Sequence, residues 1–315
     1  MNAARKLRVA LLVGGNSAER EVSLSSGKSV LEALNPEKYK VTVYDPPADL
    51  PKLVKDAAGI DVAVVMLHGR GGEDGGLQGL LDWLGVPYQC SGVMGCAMAM
   101  NKTRSKALFR QAGLPVAEHV LVLRGQPEPE KKILAGIDLP VILKPANEGS
   151  SVGMTIVRRP EDLGPALELA FNYDEEVLAE AYLDGVEVTA GILGNRELTA
   201  LPLIEIIPTE KYAFFDYQAK YVPGASTEIC PARLGDEMTA QIQELAKQAH
   251  LCLGLSGYSR ADFILTEQGP VLLEVNTIPG MTATSLLPQA AAKAGLDFPA
   301  LMDRLIELAL ERRGK

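Results

Sequence analysis

The stretch VLLEVNTIPGMT, residues 271–282, begins as an apolar run, carries a glutamate and an asparagine two positions apart, and breaks at Pro279-Gly280. Successive side chains of a strand point to opposite faces, so Glu274 and Asn276 project from one face about 7 Å apart. Burying a carboxylate and an amide there without partners would cost several kcal/mol, which predicts a cation, a ligand or water at that face. An edge strand with a wet polar face is the plain alternative. The run YSRADFIL, residues 258–265, repeats the pattern with Arg260 and Asp262. If the two runs pair through the turn TEQGP, all four polar side chains line one patch. Oxygens from Asp262, Glu274 and Asn276, with no histidine or cysteine near them in sequence, suit Mg²⁺, which prefers oxygen ligands and keeps waters and substrate phosphates. A surface ladder of ion pairs competes with this reading. Two carboxylates against one arginine leave such a ladder under-neutralised.

The rest of the chain bounds what that patch can serve. A length of 315 residues suggests two domains or three small ones, and 47% hydrophobic with 23% charged residues is a globular composition. A net charge of -9 argues against a nucleic-acid surface, though a local basic pocket for phosphates remains open. No segment approaches the ~20 apolar residues of a membrane span, and the apolar run Val9–Val13 is too short for a signal-peptide core. Four cysteines without a C-x-x-C pair point to reduced thiols in the cytoplasm.

Residues 7–14 read as a parallel strand ending in a Gly14-Gly15 turn, followed by a helix over about 21–34. Further strands at 39–45 and 61–67 complete an open α/β sheet whose crevice lies at the strands' carboxyl ends. SSGKS, residues 25–29, lacks the first glycine of a Walker loop, because position 22 is Val22, and belongs to the helix. The Gly-rich stretch HGRGGEDGGLQG, residues 68–79, reaches the same crevice. A basic helix, NKTRSKALFRQAG, opens a second unit near residue 99. It is followed by the strand LPVILKP, the loop NEGSSVGM, a helix near 160–172 and the strand EEVLAEAYL. A third unit from about 186 holds the strands VEVTAGIL and LTALPLIEII, an irregular span at 208–230, a helix at 236–253 and the two polar-faced strands. The expected domains are thus 1–98, 99–185 and 186–315.

Lys144 precedes a loop in which Gly149, Ser150, Ser151 and Gly153 can bring backbone N–H groups to an anion. With an Mg²⁺ patch elsewhere, this suggests a nucleoside triphosphate bound without a P-loop. Lys102 is a further candidate phosphate contact, against the plainer reading of a solvated lysine on a basic helix. His119 and His250 read as structural.

GGNSAEREVSLSSG, HGRGGEDGGLQG, VILKPANEGSSVGM, FFDYQAKY, SRADF and LLEVNTIPGMTATSLLP, in this order, resemble the D-alanine:D-alanine ligases of the ATP-grasp superfamily over nearly the whole chain. The resemblance implies three domains of mixed α/β and α+β type, with ATP between the central and C-terminal ones. It implies Asp262, Glu274 and Asn276 on two Mg²⁺ or Mn²⁺ ions, and Lys102, Lys144 and Lys220 facing phosphates beside Ser151. Glu180, Leu183 and Glu187 would line the adenine and ribose pocket. Glu19 would meet the ammonium of the first D-alanine with His68 nearby, Ser285 the carboxylate of the second, and Ser150 and Tyr221 would be hydrogen-bonded to Glu19. Arg260 and the Gly280 N–H are the candidate oxyanion donors. A cytoplasmic homodimer is implied, with no nucleic-acid or membrane partner. Ala181, Cys90, Asn101 and Phe215 depart from the family's usual lysine, glycine, aspartate and tyrosine. A D-alanine:D-lactate ligase is the nearest alternative, disfavoured by Tyr221, and a non-catalytic nucleotide-binding protein is the more distant one.

Overall fold

The computed structural model describes residues 5–209 and 226–312. Three sheets organise it. β1 (Leu7–Leu12), β2 (Tyr39–Tyr44) and β3 (Val62–Val65) form a parallel sheet in the order β2-β1-β3, with α1 (Arg20–Ala33) and α2 (Leu50–Asp56) in the crossovers. All four residues of β3 are buried, as a parallel strand covered on both faces requires. Residues 68–75 run irregularly from this sheet into α3 (Gly76–Trp83), so the last four residues of the Gly-rich stretch begin a helix rather than extend the loop.

α4 (Val93–Met100) leads into α5 (Lys102–Gln111), whose start is capped by Asn101: the side chain accepts the Arg104 N–H at 2.9 Å. The second sheet is antiparallel and holds β4 (His119–Leu123), β7 (Glu176–Ala181), β5 (Val141–Pro145) and β6 (Thr155–Val157) in that order. α6 (Pro129–Gly136) and α7 (Leu163–Phe171) cover it, and Val122, Ile133, Leu143, Leu167 and Val177 form a core of their own.

The third sheet is also antiparallel. β8 (Val186–Gly194) lies at its centre, flanked by β10 (Ile204–Pro208) and β12 (Gly257–Thr266); β11 (Ser226–Ile229) and β13 (Gly269–Asn276) close the edges, and β9 (Thr199–Ala200) pairs with β8. The run 198–207, expected as one strand, is two, because Leu201-Pro202-Leu203 interrupts it and proline has no N–H for a ladder. α8 (Asp236–Cys252) packs on this sheet through Ile242, Ala246 and Ala249, with Phe263 and Leu272 opposite. The last helices, α9 (Leu286–Lys293) and α10 (Phe298–Arg312), fold back and share a core with β1–β3 through Leu287, Leu301 and Leu305. This return of the chain fixes the first sheet against the third and brings residues 277–285 over the carboxyl ends of β1 and β3.

Candidate active site

Two cavities meet at the loop 149–150. The larger, about 570 Å³, lies between the second and third sheets; the smaller, about 310 Å³, lies between the first and third. Gly149 and Ser150 line both. Ser150 and Ser151 have positive φ (48° and 59°), a left-handed conformation uncommon for serine that turns successive N–H groups to one side.

β12 and β13 connect the cavities. Arg260 pairs with Asn276 and Asp262 with Glu274, and the register shifts immediately afterwards, skipping Leu273. Asp262 and Glu274 reach the larger cavity, while Arg260 and Asn276 reach the smaller. Asp262 is buried and well satisfied: Arg260 grips it through Nε and Nη2, each at 2.9 Å, Thr189 Oγ1 donates at 2.6 Å and Asn276 Nδ2 at 2.9 Å. Glu274 lies 3.8 Å from the Lys102 ammonium. Hard oxygen donors without sulfur or imidazole fit a magnesium-class ion. Among the described residues no cluster of three or more His, Cys, Asp or Glu could hold a metal, so two carboxylates and the Asn276 amide would need ligand oxygens to complete a shell. A cation at Asp262 must also share that carboxylate with Arg260.

In the larger cavity Lys102 Nζ donates to the Glu148 carbonyl, and Lys144 forms an ion pair with Glu180. Glu180 is 2% exposed, and a second ammonium, from the fully buried Lys106, pairs with its other oxygen. Burial alone would raise the Glu180 carboxyl, but Lys106 and Lys144 outweigh it and hold the group below its ordinary range. Leu183, Glu187 and Ala181 line the same cavity. Its outer wall adds Glu205, whose carboxylate is held by Arg233 with Nε at 2.9 Å.

The smaller cavity is acidic. Glu19 stands at the start of α1 yet leaves that helix uncapped, and its Oε1 accepts instead from Ser150 Oγ. Backbone crowds it: a Cβ on Gly149 would lie 2.9 Å, and one on Gly69 3.0 Å, from Glu19 Oε2. Glu73, which the sequence reading passed over, clasps the cavity's two sides, accepting the Gly69 N–H at 2.9 Å and the Ile278 N–H at 3.0 Å. Burial, and next the charge of Glu19, push its carboxyl up to about 8. His68 is 5% exposed with Nε2 unpartnered, and burial pulls its pKa down despite Glu19, so it is neutral at pH 7. Gly280 and Ser285 close the far wall, where Ser285 Oγ accepts the Thr282 N–H at 3.0 Å.

The structure thus gathers Glu19, His68, Ser150, Arg260, Asn276, Gly280 and Ser285 at one cavity, and Lys102, Lys144, Ser151, Glu180, Leu183, Glu187, Asp262 and Glu274 at the other. Lys220 and Tyr221, with Phe215, lie outside the described residues. Asn101 explains itself: besides capping α5, its Nδ2 donates to Asn147 Oδ1 at 2.7 Å, a bond that an ionised aspartate could not make. Cys90 is buried, its Sγ accepting from Gln78 Nε2 at 3.5 Å. Lys106 and Thr189 carried no sequence signal of their own, whereas Glu73 stood in a Gly-rich stretch already marked as a binding loop.

The chain matches the family model described as D-ala D-ala ligase C-terminus over residues 108–307, and the one described as D-ala D-ala ligase N-terminus over residues 8–49. It is 58% identical to a D-alanine–D-alanine ligase of Syntrophobacter fumaroxidans, covering 97% of this chain and 98% of that one. It is 50% identical to the enzyme of that name in Desulfotalea psychrophila, covering 99% and 98%. Among solved structures, a Bacillus anthracis D-alanine–D-alanine ligase complexed with ATP superposes with a TM-score of 0.86 at 30% identity, covering 98% of this chain and 99% of that one. The VanG D-Ala:D-Ser ligase of Enterococcus faecalis superposes with a TM-score of 0.84 at 32% identity, covering 97% and 100%. The chain therefore belongs to the D-alanine–D-alanine ligase family, with the ATP-grasp architecture that its motifs implied.

Proposed function

We propose that the protein joins two D-alanines into D-alanyl-D-alanine for peptidoglycan precursor synthesis, converting ATP to ADP and phosphate. The observation that carries this reading is the β12–β13 strip, which sets Asp262 and Glu274 in a lysine-lined cavity and Arg260 and Asn276 in an amino-acid-sized one beside it. A carboxylate reacts with an amine only when one of its oxygens is made a leaving group. ATP occupies the larger cavity, with adenine and ribose toward Glu180, Leu183 and Glu187, and phosphates toward Lys102, Lys144 and the N–H groups of Ser150 and Ser151. The first D-alanine occupies the smaller cavity, its ammonium on Glu19 beside neutral His68, and its carboxylate takes the γ-phosphoryl group to give an acyl phosphate. The neutral amine of the second, whose carboxylate rests at Ser285, attacks the acyl carbon; Arg260 and the Gly280 N–H stabilise the resulting oxyanion, and phosphate leaves and takes up the proton that the amine sheds. Asp262, Glu274 and Asn276 would hold two Mg²⁺ or Mn²⁺ ions, which would supply charge neutralisation at the phosphates. We assign Lys220 and Tyr221 to the same machinery on the strength of the family pattern.

The division into units 1–98, 99–185 and 186–315 is part of this reading, supported by the separate core of the second sheet. So are a cytoplasmic location, supported by four free cysteines and by the absence among the described residues of any helix long and apolar enough to cross a membrane, and a homodimer. Trp83, 92% exposed, and the exposed Val93, Met94 and Leu251 supply apolar surface for the second copy. The test of the function is phosphate release with ATP and D-alanine, L-alanine or D-lactate in parallel. The reading expects D-alanine to dominate; equal use of D-lactate replaces it with the depsipeptide reading, and no release with any of the three overturns it.

A further inference from the structure

Lys106 plays no part in the reading above, yet it is the only lysine among the fully buried residues of the described chain. It lies on α5 one turn beyond Lys102, which shares its face of the helix. Lys102 and Lys144 both line the larger cavity; Lys106 does not. Ammonium groups are almost never fully buried unless their charge is paired. Lys106 directs its donors inward. Its Nζ bonds the carbonyl of Leu273 at 2.9 Å, the residue skipped by the shift in β13, and pairs with Glu180 Oε1. Lys144 holds Oε2 of the same carboxylate. One buried glutamate therefore has two cationic partners, one facing the cavity and one sealed behind its wall.

We propose that Lys106 is a positioning residue that acts as the resident counter-ion of Glu180, keeping that carboxylate ionised and in place while Lys144 gives it up for the phosphates of ATP. The inference rests on the proposed site of ATP. A buried carboxylate that loses its single partner is left as an uncompensated charge, a strongly unfavourable state. If Lys144 were that single partner, moving to a phosphate would strand Glu180, and the phosphates would gain a contact only by destroying another. With Lys106 in place the three groups carry a net charge of +1, so Lys144 is the surplus cation. It can exchange partners at little cost while Glu180 continues to shape the nucleoside end. The arrangement separates two tasks that a single lysine could not combine: a fixed charge that builds the wall, and a movable one that meets the ligand.

The prediction is a difference between ligands. Lys106→Met leaves Lys144 as the sole partner of Glu180, so ATP binding measured by calorimetry should weaken by about tenfold or more, while adenosine, which makes no call on Lys144, should change by no more than about threefold. Lys106→Met/Glu180→Gln removes both buried charges together and frees Lys144. It lowers affinity for both ligands through the lost nucleoside contact, but the ratio of ATP to adenosine affinity should return to within about threefold of the wild-type ratio. Should Lys106→Met fail to fold, the double variant and the wild type carry the test alone. Equal weakening of ATP and adenosine in Lys106→Met, or a double variant whose ratio departs from that of the wild type, overturns the inference and leaves Lys106 a packing residue. A wild-type protein that does not bind ATP overturns instead the site assignment on which the inference rests.

Discussion

In the larger cavity the charges assigned to the ligand are matched within the protein: Lys102 lies beside Glu274, and Lys144 shares Glu180 with Lys106. In the smaller one they are not. Glu19 lies close enough to Glu73 for its charge to help raise the Glu73 carboxyl, and Arg260, the guanidinium beside them, gives Nε and Nη2 to Asp262. The difference follows from what each has to bind. A triphosphate brings its own negative charge and needs cations that can be released from an existing partner. A zwitterionic amino acid brings an ammonium, which a surplus of carboxylate attracts and a neutral histidine does not repel. Burial first, and the charge of Glu19 second, raise the Glu73 carboxyl, so a cation arriving beside these two carboxylates relieves part of that shift.

The sharpest way to break the matched side is Glu274→Gln. The side chain is partly exposed and serves charge rather than packing, so the fold should survive, with an unchanged far-ultraviolet spectrum, while ligation at saturating Mg²⁺ falls by about a thousandfold or more, the loss expected from removing several kcal/mol of charge stabilisation. Turnover near the wild-type rate would remove Glu274 from the metal site. A smaller effect is expected at the junction. Ser150→Ala removes the hydroxyl that orients Glu19, and the KM for the first D-alanine should rise about tenfold with the KM for ATP nearly unchanged. Parallel changes in both would mean that the loop, not the bond, had been disturbed.

The third effect is read in stability rather than turnover. Glu73 has an ordinary value of 4.5 and a folded value of about 8. A folded pKa above the unfolded one means that the folded state binds the extra proton between these values, so stability is full below about pH 4.5 and declines as pH rises to about 8. Glu73→Gln, which cannot titrate, should show a flatter decline of melting temperature across that window, and D-alanine should flatten it in the wild type by supplying a cation. Identical slopes in both proteins would show that Glu73 ionises normally.

The two cavities were unequally legible in the sequence. Period-two spacing placed Arg260 and Asp262, and Glu274 and Asn276, on shared faces, because a strand fixes the direction of every side chain it carries. The basic run NKTRSKALFRQAG likewise marked the helix over 102–111, and Gly-Ser composition marked the anion-facing loop, though not its left-handed serines. Glu73 was not, since an irregular Gly-rich loop imposes no period from which a carboxylate's direction can be read. Lys106 resembled any solvated lysine on a basic helix, and only the packing of α5 against β13 and β7 buries it. The single strand expected over 198–207 failed for a local reason, the missing N–H of Pro202, whereas the fold-back of α9 and α10 onto the first sheet joins residues about 290 positions apart and has no local signature at all.

The claim on which the whole account rests is that the two cavities are joined by transfer of a phosphoryl group to the carboxylate of the first D-alanine. D-alanine labelled with ¹⁸O in both carboxylate oxygens, incubated with unlabelled ATP and the protein in ordinary water, tests it directly by mass spectrometry of the phosphate released. The account predicts one ¹⁸O in each phosphate, because the oxygen that receives the phosphoryl group leaves with it when the amine attacks. Phosphate carrying no ¹⁸O, formed at the same rate as dipeptide, would contradict it.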